Sequence, residues 1–266
     1  MAELAGRKLV EGLTPGLRVL VTAGASGIGR AISDMLIAHG AKLHICDVAG
    51  GFLDDFRQAH PQHGVTKADV SQDADVDKLF AEAKASLGGL DVLINNAGIA
   101  GPTGGVDEIS PADWRRCIDI DLTGQFLCTR LAVPLIKAAG GGAIVNMSSA
   151  AGRHGYPFRT PYAAAKWGVI GFTQSLAKEL GPSNIRVNAI LPGLVAGPRI
   201  ESVIKARAEQ AGVTYQAMEQ EYLQKVSLRR AVSPHDVAAM VLFLLSPMGE
   251  NISGQSLGVD GNVETL

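Results

Sequence analysis

The 266-residue chain is short of several things, and each shortage removes a class of function. Its three cysteines, Cys46, Cys117 and Cys128, are an odd number without CxxC spacing, which fits reduced core thiols and not a disulfide framework. The six histidines are scattered and form no HxxxH or HExxH pair, so no metal site is expected. Charge is nearly balanced, at -2 with a sequence pI near 6.3, leaving no electrostatic footprint for nucleic acid or an anionic membrane. The longest apolar run, Val237 to Leu245, is too short to cross a bilayer, which takes about 20 residues. No charged-then-apolar signal pattern opens the chain, so the expected location is cytoplasmic. Repeats, low-complexity segments and linker-like stretches are also missing.

What is present is glycine, 32 residues of it, and a hydrophobic share of 47%. Both suit an open sheet with many tight strand–helix turns. Short β-branched runs alternate with helical stretches: strands at 17–23, 41–47, 64–70, 90–96, 142–149, 184–193 and 254–261, with helices between. Strands separated by ten or more helical residues imply parallel pairing. The pattern predicts an α/β fold, one doubly wound domain over 1–266, with about seven parallel strands and helices on both faces. Residues 111–138 read as one long helix. Residues 194–230 exceed an ordinary connection and hold two amphipathic helical patterns, which predicts a helical lid over a ligand crevice. A subunit-packing arm is the other role open to that insertion.

Three short stretches point to chemistry. VLVTAGASGIGRAI (19–32) sets a glycine-rich turn between the first strand and its helix, where a pyrophosphate needs bare backbone N–H groups and a helix N-terminus. The spacing, Gly24-x-x-Gly27-x-Gly29, departs from GxGxxG, but its strand–turn–helix context gives it weight. Asp47 ends the second strand, 18 residues after Gly29, where a carboxylate accepts ribose hydroxyls and repels a 2′-phosphate. No Lys or Arg stands at Ser26 or in the two residues after Asp47, so NAD is expected over NADP. TPYAAAKWG (160–168) opens a helix, with Thr160 suited to the N-cap and Pro161 to the first turn. Tyr162 and Lys166, four residues apart, then share a face.

In order along the chain, TAGASGIG (22–29), Asp47, Asp69-Val70, NNAG (95–98), Ser149, YAAAK (162–166) and RVNAILPG (186–193) resemble the classical short-chain dehydrogenase/reductase family, from Val19 to Gly261. The resemblance implies a Rossmann-type fold, a homotetramer and a small-molecule substrate. It implies that Ser26, Gly27 and Ile28 lie against the pyrophosphate, Asp69 and Val70 beside adenine, and Asn96, Ala97 and Gly98 along the adenosine ribose. Pro192, Gly193 and Val195 would back the nicotinamide. Tyr162 would be the general acid/base, Ser149 the hydroxyl orienting the substrate oxygen, and Lys166 the group that binds the nicotinamide ribose and favours the phenolate. A free phenol titrates near ~10 and is a poor base at neutral pH, so positive charge one turn away is what such chemistry requires.

Three positions depart from the family pattern. Ala23 stands for a glycine, Gly197 for a threonine after the PG pair, and Asp121, in IDIDLTG, for the active-site asparagine. The implied function is an NAD-dependent oxidoreductase that interconverts a secondary alcohol and a ketone. A 3-oxoacyl-thioester reductase shares every motif, and a nucleotide-binding regulator without turnover is the non-enzyme alternative. AAGRHGYPFRTP (150–161) carries Arg153, His154 and Arg159, and Arg199 opens the insertion. If two or more face the crevice, they favour an anionic or polyhydroxylated substrate such as a hydroxy acid or sugar.

Overall fold

The structure, a computed structural model, describes residues 13–265. The apolar runs become β1 (Arg18–Thr22), β2 (Lys42–Asp47), β3 (Gly64–Lys67), β4 (Val92–Asn95), β5 (Gly142–Met147), β6 (Ile185–Pro192) and β7 (Ser256–Val259). Every neighbouring pair is parallel, in the order β3-β2-β1-β4-β5-β6-β7. The chain runs outward from β1 to β3 and then returns to place β4 on the other side of β1. That reversal opens a crevice beyond the C-terminal ends of β1 and β4, where open parallel sheets bind ligands.

The helices are α1 (Gly27–Ala38), α2 (Gly50–Ala59), α3 (Asp73–Leu87), α4 (Pro111–Ile118), α5 (Gly124–Ala138), α6 (Thr160–Leu180), α7 (Pro198–Ala211), α8 (Tyr215–Gln224) and α9 (Pro234–Leu245). Because strand side chains alternate, Val19, Val21, Ile45 and Ile94 pack with α1, α2 and α9, while Leu20, Leu93, Ile144 and Val187 pack with α3, α5 and α6. Both faces are thus covered, as a parallel sheet requires. Each such side chain contributes about 1.5–3 kcal/mol when fully buried, which fixes the strand ends that carry the site.

Two local expectations are corrected. The helix read across 111–138 is two helices joined by a π-helical stretch, Asp119–Thr123. The N-cap of α6 is Arg159, not Thr160: Thr160 is already helical and its buried hydroxyl has no hydrogen-bond partner. Residues 194–230 do form two helices. They carry a small core of their own, Leu194, Ile204, Ala208, Met218 and Tyr222, separate from the two sheet faces. Bridges Val195–Val232 and Val226–Val263 tie this unit to its own base and to the C-terminal segment.

Candidate active site

The glycine-rich turn follows β1 directly. Ala23 takes a left-handed conformation, φ 48°, so an alanine bears the strain where the family pattern has glycine. Gly29 has no such latitude: a Cβ there would stand 2.0 Å from the Ala23 carbonyl oxygen. Gly27, at φ 52°, faces open space at the first residue of α1. Ser26 precedes it with its hydroxyl unused as a cap, and no acidic residue occupies the first turn. The result is a bare, positively polarised cradle that fits a diphosphate. The Asn96 side chain braces this turn by donating to the Thr22 and Ala23 carbonyls, both at 3.1 Å. Thr22 Oγ1 in turn accepts from the N–H groups of Asn96 and Ala97.

Asp47 is 7% exposed at the end of β2. Its Oδ1 accepts from the Ala49 N–H, and its buried Oδ2 has no partner. An orphaned carboxylate oxygen beside the glycine turn fits a pair of ribose hydroxyls. Asp69 Oδ1 is taken by Ser71, and Val70 is buried against Gly124, where a Cβ would approach its Cγ2 to 2.7 Å.

On the far side of the crevice, Ser149 follows β5. Its Oγ accepts from the Ala151 N–H at 3.2 Å, leaving its O–H free to donate. Tyr162, in the first turn of α6, lines the same cavity as Ser149. Lys166, one turn on, is buried: its Nζ donates to the Met147 carbonyl at 3.1 Å and lies 5.5 Å from the Tyr162 ring centre. The π-helical stretch turns Asp121 inward, fully buried, with Oδ2 3.4 Å from Lys166 Nζ and Oδ1 accepting from the Ile99 N–H at 2.7 Å. Gly98 makes room for this pair, since a Cβ there would lie 3.2 Å from Asp121 Oδ1 and 3.3 Å from Lys166 Nζ.

Gly193 lines the cavity too, and a Cβ on it would stand 2.6 Å from that of Asp260. Pro192 ends β6 and Val195 forms its bridge just beyond. Gly197 sits at φ 139°, a conformation that disfavours the threonine of the family pattern. Of the four basic candidates, Arg159 and Arg199 line the cavity, while exposed Arg153 donates to the Ser256 carbonyl instead. Tyr222 and Lys225 on and after α8, and Val263 and Thr265 near the C-terminus, complete the wall. No spacing signal marks these residues, because Tyr222 and Lys225 reach the cavity through folding of the insertion, and Val263 and Thr265 through the C-terminal segment that meets it at Val226. Among the described residues, no group of three or more His, Cys, Asp or Glu is placed to hold a metal, and no helix is long and apolar enough to cross a membrane.

A parallel sheet with a glycine-rich turn at its switch point and a Ser–Tyr–Lys set across the crevice fits a dinucleotide-dependent oxidoreductase. The chain belongs to the classical short-chain dehydrogenase/reductase family, enzymes that act on CH–OH groups with NAD(P). A family model described as "Enoyl-(Acyl carrier protein) reductase" matches residues 22–263. A cis-4-hydroxycyclohexanecarboxylate dehydrogenase of Sinomonas cyclohexanicum is 39% identical over 91% of this chain and 94% of its own. The 3-oxoacyl-[acyl-carrier-protein] reductase of Thermotoga maritima is 35% identical over 92% of this chain and 96% of its own. A crystal structure of NAD+-bound xylitol dehydrogenase superposes with a TM-score of 0.89 at 27% identity, covering 93% of this chain and 99% of that one.

Proposed function

We propose that the protein is an NAD-dependent dehydrogenase interconverting a secondary alcohol and a ketone on a small polar hydroxy compound. The observation that carries this reading is the convergence of Ser149 and Tyr162 on one cavity, with buried Lys166 packed against the tyrosine ring. Ser149 donates its free O–H to the substrate oxygen and holds the carbinol in place. Tyr162 accepts the hydroxyl proton during oxidation and returns it during reduction. Lys166 favours the phenolate through its charge, and the Met147 carbonyl and Asp121 keep its ammonium in position.

Ser26, Gly27 and Ile28 would take the pyrophosphate, and Asp47 the adenosine ribose. Asp69, Val70 and Ala97 would border the adenosine, while Pro192, Gly193 and Val195 back the nicotinamide. When bound, the nicotinamide supplies the hydride acceptor. NAD over NADP is supported by the orphaned Asp47 oxygen, which a 2′-phosphate would meet as a buried like charge. The same aspartate argues against a 3-oxoacyl-thioester reductase drawing on NADPH. A small substrate is supported by the cavity of about 80 Å³, against the ~150 Å³ that holds a benzene ring. Arg199 and Val203 of α7 and Tyr222 of α8 form part of its wall, which supports the lid role of 194–230. Exposed Trp114, Phe126 and Trp167 support assembly through the α4–α6 side.

A panel of alcohols, sugars and hydroxy acids, assayed for NADH formation, tests the reading. Substrate-dependent NADH formation excludes a regulator without turnover. Faster turnover with NADP than with NAD would overturn the cofactor assignment.

A further inference from the structure

The cavity wall holds a cation that no carboxylate among the described residues meets. Arg159 is 4% exposed, an extreme burial for a guanidinium. Its Nη2 donates to the Ala100 carbonyl, while its Nε is buried without a partner. Its guanidinium carbon lies 5.2 Å from the ring centres of both Tyr156 and Tyr162, so the group is wedged beside the reacting tyrosine. Among the described residues, neither Arg159 nor Arg199 pairs with a carboxylate, whereas Lys225 has its own partner in Glu221 at 3.1 Å. Among the described residues, no Asp or Glu lines the cavity.

Arg199 stands at the second residue of α7, so that helix adds its positive end to the same mouth. The same charges act on buried Cys117. Its thiol is pushed up to about 11 by burial and then by Asp121, with Lys166, Arg159 and Arg199 all pulling the other way. A buried, incompletely bonded guanidinium is costly unless an anion completes it, and the planar fork of arginine matches a carboxylate. A neutral polyol would leave that charge unmatched.

We propose that the substrate carries a carboxylate, held by Arg159 with Arg199, which rests on the dehydrogenase reading above for the other end of the molecule. Ser149 and Tyr162 take the carbinol, and the arginines take the acid. The substrate class is then a short hydroxy acid and its keto acid.

The test is equilibrium binding of butyrate against butyramide to the NAD-loaded enzyme, in the wild type and in Arg159→Gln and Arg199→Gln. Butyrate should bind about tenfold to a hundredfold more tightly than the amide in the wild type. The preference should vanish in Arg159→Gln and shrink severalfold in Arg199→Gln. Arg199 is exposed, so its variant keeps the question open to measurement even if Arg159→Gln does not fold. Equal binding of acid and amide, or a preference that survives both substitutions, overturns the proposal. So does an Arg159→Gln enzyme that slows all alcohols alike while keeping the acid preference, since the arginine would then serve Tyr162. Failure of every alcohol to yield NADH would sink the dehydrogenase reading instead, and the binding preference stands or falls separately from it.

Discussion

Two aspartates at the C-terminal edge of the sheet make an instructive pair. Asp47 and Asp121 are both buried, and each has one oxygen held by a backbone N–H and a second without a hydrogen bond. Asp47 pairs with no cation among the described residues, and its second oxygen stays unmatched. Asp121 faces Lys166 Nζ at 3.4 Å and meets its need inside the protein. The same side chain, buried alike, is therefore left unmatched in one place, as the proposed ribose contact requires, and serves as a counter-charge in the other. What differs is whether the complementary charge belongs to the chain.

The largest effect should come from the residue that neither aspartate touches. Tyr162→Phe should lower kcat by about 10²–10⁴-fold, the range of proton-transfer groups, while NAD affinity and stability stay near wild type. More than a tenth of wild-type kcat in that variant would remove the tyrosine from proton transfer.

Breaking the internal pair should cost stability as well as activity. Lys166→Met strands a buried carboxylate and should destabilise the cofactor-free enzyme by about 3–5 kcal/mol in urea unfolding. Lys166→Met/Asp121→Asn should recover most of that loss without restoring turnover. A loss below about 1 kcal/mol in the single variant would mean that Asp121 does not depend on Lys166.

Asp47 has no such partner to strand. Asp47→Ser should weaken NAD binding about tenfold to a hundredfold and relieve the rejection of NADP, with kcat nearly unchanged at saturating cofactor. Unaltered discrimination between the two cofactors would take Asp47 out of that role.

The contrast also marks how far the sequence could be read. Asp47 was legible because backbone alone places it: a strand end, a counted distance from a glycine turn, beside β1. The seven strands and the Tyr162–Lys166 pair were legible for the same reason, being fixed by periods of two and of about four. Asp121 was marked as a departure, but its ion pair depends on a π-helical stretch that one extra residue per turn creates inside an otherwise ordinary helical pattern. The burial of Arg159 was hidden too, because it comes from tertiary contacts with the Ala100 carbonyl and the Tyr156 and Tyr162 rings. Tyr222, Lys225 and Thr265 carried no spacing signal at all. Tyr222 reaches the cavity through packing of a separate small core and Thr265 through the C-terminal segment, and tertiary contact of that kind leaves no period in the sequence.

The smallest expected effect restores the family asparagine. In Asp121→Asn the Oδ1 acceptor for the Ile99 N–H survives if the amide orients its oxygen that way, so the enzyme should fold and turn over. What changes is charge: a buried negative group 3.4 Å from Lys166 is lost, and the potential around the neighbouring tyrosine becomes more positive. A more positive surround favours the deprotonated phenol, so the acidic limb of the kcat/KM profile should move to lower pH. The shift should be modest, under about one pH unit, because Arg159 already lies 5.2 Å from the same ring and supplies part of the field. Combining Asp121→Asn with Arg159→Gln should return the limb toward its wild-type position, one charge of each sign having been removed. A profile unmoved by Asp121→Asn would confine the role of position 121 to its backbone and its bond to Ile99. A limb moving to higher pH would mean that the carboxylate acts on the tyrosine by some route other than its own charge, such as the placement of Lys166.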